Sequence, residues 1–313
     1  ANAHNNLGLS LAKMSKHEEA IQAYNKAIAL RSDYAEAYNN MGNTLLEQDK
    51  REDAINAYNK AILLRPDYAE AHNNLGLALE AQGKLKEAIA TFKKALTHKP
   101  DCPDTYLNLG NALKYQGELE EALTAFNKAI SLRPACVQAF NSIGLVLRDQ
   151  GKLEEAIIAF NKALSVQSDY SETYNFIGST LIDQRKYDEA ISAFQKALSL
   201  KPDHTAVHRH ISALKKYTDE DPQIKQMKNL YHESRLDGDE LCHLCFALAK
   251  VSEDLGHLKE AFEFLREGNR LRKKILSYDI DQDLKVFDRI KRSAEEVKKN
   301  ALMTSHISSA VTP

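Results

Sequence analysis

Glycine and proline are scarce in this chain, at 12 and 7 of 313 residues. Alanine, leucine, lysine, glutamate and asparagine dominate instead, a mix that favours helices over strands. The four cysteines, Cys102, Cys136, Cys242 and Cys245, are too few for a disulfide scaffold. With no Asn-x-Ser/Thr sequon, they point to a reducing, cytoplasmic setting. No run of 18 apolar residues is present, so a membrane-spanning helix is not expected. The start, Ala1-Asn2-Ala3-His4-Asn5, has neither the basic nor the apolar part of a signal peptide. Charge of one sign is also lacking: 42 Lys and Arg against 44 Asp and Glu leave a net charge of -2. Without a basic field, nucleic acid is not an expected partner. Phosphate-loop, dinucleotide, zinc-protease and nucleophile-elbow motifs are absent. The expected sites are therefore neither catalytic nor metal-binding, and no cofactor is implied. With 43% hydrophobic and 27% charged residues, the chain is nevertheless one that folds.

What is present is a period. Gly8, Gly42, Gly76, Gly110, Gly144 and Gly178 recur every 34 residues without a slip. Ala20, Ala54, Ala88, Ala122, Ala156 and Ala190 keep the same spacing, as does the series from Ala27 to Ala197. Tyr24, Tyr58, Phe92, Phe126, Phe160 and Phe194 hold one aromatic position. Such self-similarity is the mark of a repeat architecture. The chain opens inside a repeat, as a fragment of a longer protein would.

Each unit reads as two helices. Positions 4, 7, 8 and 11 form one apolar or small stripe, as in Tyr38, Met41, Gly42 and Leu45. Positions 20, 21, 24, 27 and 28 form another, as in Ala54, Ile55, Tyr58, Ala61 and Ile62. A polar turn such as Gln82-Gly83-Lys84 separates them, and Pro-Asp or Ser-Asp closes the unit. Small residues at positions 8, 20 and 27 let helix axes approach, and the ring at 24 fills the remaining space. One pair cannot bury its own stripe, so stacked neighbours must form a continuous core.

These positions resemble the tetratricopeptide repeat family over residues 1–204. His4 and His72 replace its aromatic at position 4, and Ser32 and Ser168 replace its proline. The resemblance implies an all-α, right-handed superhelical solenoid of helix hairpins. Its first helices would line a concave groove through positions 2, 5, 6, 9, 12 and 13. Asparagine crowds those positions: Asn5, Asn39, Asn73, Asn141 and Asn175 at position 5, Asn6, Asn40, Asn74 and Asn108 at position 6, and Asn43 and Asn111 at position 9. A carboxamide both donates and accepts, so a row of them can hold an extended peptide backbone. Such a row resembles the asparagine ladder in the repeat arm of O-linked N-acetylglucosamine transferases. The same asparagines can instead pack between helices as part of the scaffold. Position 2 is mostly acidic, with Glu36, Glu70, Asp104 and Glu172. That favours either a basic ligand or, more simply, the helix dipole. The family's two-carboxylate clamp needs lysine at position 5, where this chain has asparagine.

Beyond Asp203 the phase is expected to break. Residues 205–241 read as a capping or degenerate helix pair, with Val207, Ile211 and Leu214 on one helix and Ile224, Met227 and Leu230 on the next. A looser hairpin is expected over 242–275, with Leu248-Ala249, Gly256, Ala261, Leu265 and Gly268 at repeat positions 7–8, 15, 20, 24 and 27. The segment 276–313 is expected to hold an amphipathic helix, with Leu284, Phe287, Ile290 and Val297 as its stripe, and then a tail.

A second resemblance rests on Leu214-Lys215-Lys216-Tyr217, Asp219-Glu220-Asp221-Pro222, Phe246-Ala247-Leu248-Ala249-Lys250, Glu253-Asp254-Leu255-Gly256, Gly268-Asn269-Arg270-Leu271-Arg272 and Tyr278-Asp279. It is to the linker of bacterial proteins that join tetratricopeptide repeats to a sulfotransferase. In that family a Gly-x-x-Arg-Ser-Gly-Thr-type loop follows. The sequence here stops at Pro313 without one, so the resemblance concerns a parent protein.

The Cys242-x-x-Cys245 pair lacks further ligands and reads as core. His204, His208 and His210 read as packing or surface residues. The basic stretch Arg266, Arg270, Arg272, Lys273 and Lys274 reads as a solvated helix face. The expected partner is a protein or extended peptide. Two alternatives stand beside it: a recruiting arm for a missing sulfotransferase, and end-to-end self-association of near-identical repeats.

Overall fold

The structure, a computed structural model, describes residues 1–233 and 236–276 and contains sixteen helices and no strand among them. The chain divides into two compact units, Ala1–Leu200 and Lys201–Pro313.

The first unit is six hairpins: α1 (Asn2–Lys13) with α2 (His17–Leu30), α3 (Ala35–Glu47) with α4 (Arg51–Leu64), α5 (Ala69–Ala81) with α6 (Leu85–His98), α7 (Pro103–Gln116) with α8 (Leu119–Leu132), α9 (Val137–Asp149) with α10 (Leu153–Val166), and α11 (Ser171–Asp183) with α12 (Tyr187–Leu200). The glycine at position 8 faces the ring at position 24 of its own hairpin. A Cβ added at Gly76 would sit 2.4 Å from Cε1 of Phe92, well inside van der Waals contact, so no other residue fits without displacement. The rings of Tyr24, Tyr58, Phe92, Phe126 and Phe160 are fully buried as a result. Neighbouring hairpins share one core, in which Ile89 and Phe92 join Leu109 and Leu113 of the following first helix.

Every turn between paired helices closes the same way. Position 15 adopts a left-handed backbone at Ser15, Asp49, Gly83, Gly117, Gly151 and Arg185. The next amide then bonds back to position 11, as in Lys84 N–H to Leu79 O at 2.9 Å. This is the bond pattern of a left-handed helix cap, and it satisfies carbonyls the helix end leaves free.

The second unit holds α13 (Thr205–Leu214), α14 (Pro222–Glu233), α15 (Gly238–Asp254) and α16 (Leu258–Ile275). The repeat phase does not stop at Asp203. His208 occupies position 4 counted on from the sixth repeat, and its Nε2 lies 2.9 Å from the Pro202 carbonyl. His72 makes the same contact with Pro66, also at 2.9 Å. Phase is lost only at Lys215, where the backbone turns extended. α13 and α14 do not form a hairpin with each other; both pack on α15. α15 and α16 pack on each other, with Gly256 left-handed between them. α15 starts one turn before Cys242, at Gly238. Asp237 caps that start: its carboxylate accepts from the Asp239 and Glu240 amides while the Glu240 side chain accepts from the Asp237 amide. Tyr217, Ile224, Met227, Leu244, Leu248 and Val251 form the core of this unit. The helix expected around 281–300 and the tail after it lie outside the described residues.

Candidate functional site

The asparagines of the first helices are brought together, and many of them bond one another. Asn40 Nδ2 donates to Asn5 Oδ1 at 3.0 Å, Asn74 Nδ2 to Asn39 Oδ1 at 3.1 Å, and Asn108 Nδ2 to Asn73 Oδ1 at 3.0 Å. Position 6 of one repeat thus reaches position 5 of the repeat before it. Asn74 also donates to Asn43 Oδ1, which accepts from the Tyr58 hydroxyl as well. Leucine at position 107 interrupts the series. Past it, Ser142 donates to Asn111 Oδ1 at 3.3 Å, and Asn141 pairs with Thr173 at 2.8 Å.

Burial divides the row. Asn5, Asn39 and Asn141 are 5%, 0% and 5% exposed, because position 5 points toward the next repeat. Asn40, Asn43, Asn73, Asn74, Asn108, Asn111 and Asn175 are half-buried, and Asn6 is exposed. A ligand on this face would meet the half-buried set, not an open row of position-5 carboxamides. Valence remains there: Asn40 spends one of its two N–H groups on Asn5, and Asn111 uses its oxygen toward Ser142.

The acids at position 2 are partly committed to the arginine at position 31. Arg65 reaches Glu36 at 2.7 Å, and Arg133 grips Asp104 through two bonds of 2.8 and 2.9 Å. The Arg133 guanidinium holds the Asp104 carboxyl below the usual range. Arg31 and Arg65 also lie 3.5 Å over the rings of Tyr34 and Tyr68. The expected pull on basic ligands is therefore largely internal in the second and fourth repeats. In the third repeat position 31 is Lys99, and Glu70 accepts instead from Asn39 at 3.3 Å. A recess of about 210 Å³ opens there, lined by Glu70, Asn73, Lys99, Cys102, Asp104 and Thr105. It went unforeseen because its lining joins residues of two successive repeats, which spacing within one repeat does not bring together.

The chemical candidates take structural places. Cys242 and Cys245 are buried, and the Cys242 thiol points at the Gly268 carbonyl at 3.4 Å. Burial pushes the Cys245 thiol up to about 12, which makes it a poor nucleophile. Cys136 is buried, while half-buried Cys102 accepts from the Thr105 hydroxyl at 3.2 Å. His208 is buried between Pro202 and Gln223. Among the described residues no group of three or more His, Cys, Asp or Glu is placed to hold a metal ion. No described helix is long and apolar enough to cross a membrane.

Models of the tetratricopeptide repeat match residues 11–49, 39–103, 107–172 and 171–204. The chain belongs to the tetratricopeptide repeat family. Similar folds occur in the Cut9–Hcn1 hetero-tetramer of the APC/C, with 17% identity, TM-score 0.57, and coverage of 83% of this chain and 48% of that one. PilF of Pseudomonas aeruginosa aligns with 21% identity and TM-score 0.50 over 82% of this chain and 98% of its own. YrrB, a tetratricopeptide protein with an unusual peptide-binding site, is 26% identical, with TM-score 0.49 over 60% of this chain and 96% of that one. No curated protein matches the sequence. As a member of this family the chain is a protein-interaction scaffold.

Proposed function

We propose that the first unit holds an extended polypeptide on the asparagine-bearing face of α1, α3, α5, α7, α9 and α11. The observation that carries this reading is the half-buried set of carboxamides recurring with the repeat, several with donor or acceptor capacity left after bonding to neighbours. Each bond to a peptide backbone contributes about 0.5–1.5 kcal/mol, so affinity comes from several repeats acting together. A single extended peptide then binds near ~1 μM.

The test uses peptides selected on the full chain from a display library. The triple substitution Asn40→Ala, Asn43→Ala and Asn111→Ala is expected to raise Kd about tenfold or more while helicity by circular dichroism is kept. An unchanged Kd for every selected peptide sinks the reading.

A second reading, the recruiting arm of a sulfotransferase, rests on the sequence resemblance of residues in the second unit. Lys215 pairs with Asp221 at 2.6 Å, and the Tyr217 amide donates to Asp254 at 3.1 Å. These bonds lie among the residues that carry the resemblance. Sequencing the parent gene past codon 313 tests it: a Gly-Arg-Ser-Gly-Thr-like loop supports the reading, and an unrelated domain ends it.

A further inference from the structure

Arg65 and Arg133 of the first unit each hold a carboxylate, 2.7 Å from Glu36 and 2.8 Å from Asp104. Arg209, on α13, is placed differently. Its guanidinium carbon lies 5.0 Å from the centre of the Phe246 ring, and its Nη1 lies 3.2 Å from Nδ1 of His243, both residues of α15. An imidazole nitrogen that faces a guanidinium must accept, so the proton of the neutral ring sits on Nε2, which faces Asp239 at 3.6 Å. Arg272, on α16, comes to the same place: it lies beside the Cys242 thiol, and both arginines act on that thiol and on His243. Its helix neighbour Arg270 is instead clamped by Glu267 through two bonds of 2.8 and 2.7 Å. Among the described residues, no carboxylate lies within ion-pair distance of Arg209 or Arg272. Two guanidinium groups and an imidazole are thus gathered from three helices. Like charges brought together repel unless an anion lies between them.

We propose that Arg209, His243 and Arg272 bind a tetrahedral oxyanion, a phosphate or sulfate group that is free or carried as an ester. Each guanidinium offers a fork of N–H donors that suits the oxygens of such a group. Donors from three helices reach three oxygens, where a carboxylate presents two. The Phe246 ring supports Arg209 from the side. Burial and the two arginines disfavour the charged form of His243, and Asp239 and Asp237 favour it; its pKa lies below the ordinary histidine value. A bound anion offsets the arginines, so His243 takes up a proton with it and binding tightens as pH falls. The site lies wholly within the second unit and does not rest on the peptide-binding reading, which concerns the first.

The test titrates the full chain with inorganic sulfate, which keeps its charge between about pH 6 and pH 8, at an ionic strength held constant with chloride. The readout is the imidazole resonances of His243 by NMR. A saturable shift is expected, with Kd about fivefold or more lower at pH 6 than at pH 8. Arg209→Gln is expected to raise Kd about tenfold or more. Arg272→Gln, on an exposed side chain, is expected to do the same and keeps the test open where Arg209→Gln disturbs folding. Arg270→Gln, which loses a residue held by Glu267, is expected to leave Kd within about twofold. Acetate is expected to bind about fivefold or more weakly than sulfate. Phenyl sulfate binding as tightly as sulfate supports an ester on a larger ligand, and weaker binding supports the free ion. A shift that never saturates, an equal loss in Arg270→Gln, or acetate binding as tightly as sulfate overturns the proposal.

Discussion

A Cβ added at Gly144 would lie 2.3 Å from Cε1 of Phe160, so backbone and ring are already at contact distance. The contact recurs in every repeat of the first unit, at 2.3 to 2.5 Å. Gly144→Ala is expected to destabilise the chain by about 1–3 kcal/mol through overpacking. Phe160→Leu gives room back, so the double substitution is expected to cost less than the sum of the two singles. Urea unfolding of the four chains checks this. Additive costs would mean that the glycine serves the helix and not the ring.

Asn74 donates twice to the preceding repeat, to Asn39 and to Asn43. Asn39 is fully buried, so its oxygen has no water to fall back on. Asn74→Ala is expected to cost about 1–3 kcal/mol, visible as a lower urea midpoint. Asn6→Ala, on an exposed side chain, is expected to stay within about 0.5 kcal/mol of the native chain. Equal midpoints for the two would remove the inter-repeat bonds from the account of stability.

The fold was legible because steric demands repeat. Gly8 and Tyr24 leave the same signature six times, and a period shows in a single sequence. The asparagine row was legible as a row but not in its partners. Whether Asn39 faces a ligand or the next repeat depends on the offset between helices, which spacing within one repeat does not fix. A helix carrying Val207, Ile211 and Leu214 was expected; that it keeps the repeat phase was not, and for a different reason. His208 keeps position 4, and its spacing from His72 is a whole number of repeats, yet the glycine at position 8 becomes Ser212 and the hairpin partner is lost. The exposure of Phe262 could not be seen at all, since it matches the buried or half-buried aliphatic residues of position 21 in kind and differs only in what covers it.

Position 15 is left-handed whether or not glycine occupies it. Arg185 has φ 62° and Gly117 has φ 86°. A side chain in that region costs about 1–2 kcal/mol, and glycine in an unfolded chain gives back part of that in entropy. Arg185→Gly is expected to raise stability by about 0.5–1 kcal/mol, and Gly117→Ala to lower it by about 1 kcal/mol. Thermal melts of both variants check the pair. A loss of stability in Arg185→Gly would show that its side chain contributes more than its backbone costs.

His208 ties stability to pH. Its Nε2 faces the Pro202 carbonyl at 2.9 Å and its Nδ1 the Gln223 carboxamide at 3.0 Å, so the neutral ring suits both neighbours. Burial lowers its pKa below the ordinary histidine value; the Pro202 carbonyl and Asp203 oppose that, and His204 and Lys215 reinforce it. His72 is lowered too, chiefly by burial and then by His98 and Lys94 against the pull of Pro66. A folded pKa below the unfolded one means that the unfolded chain binds more protons. The contribution is therefore complete above the unfolded value of about 6.5 and drains away as pH falls through the lower folded value. Native protein is expected to lose urea resistance between pH 7.5 and pH 5, before most carboxylates titrate. His208→Gln with His72→Gln is expected to start lower at pH 7.5 and to change less over that interval. An undiminished pH slope in the double variant would place the titrating groups elsewhere.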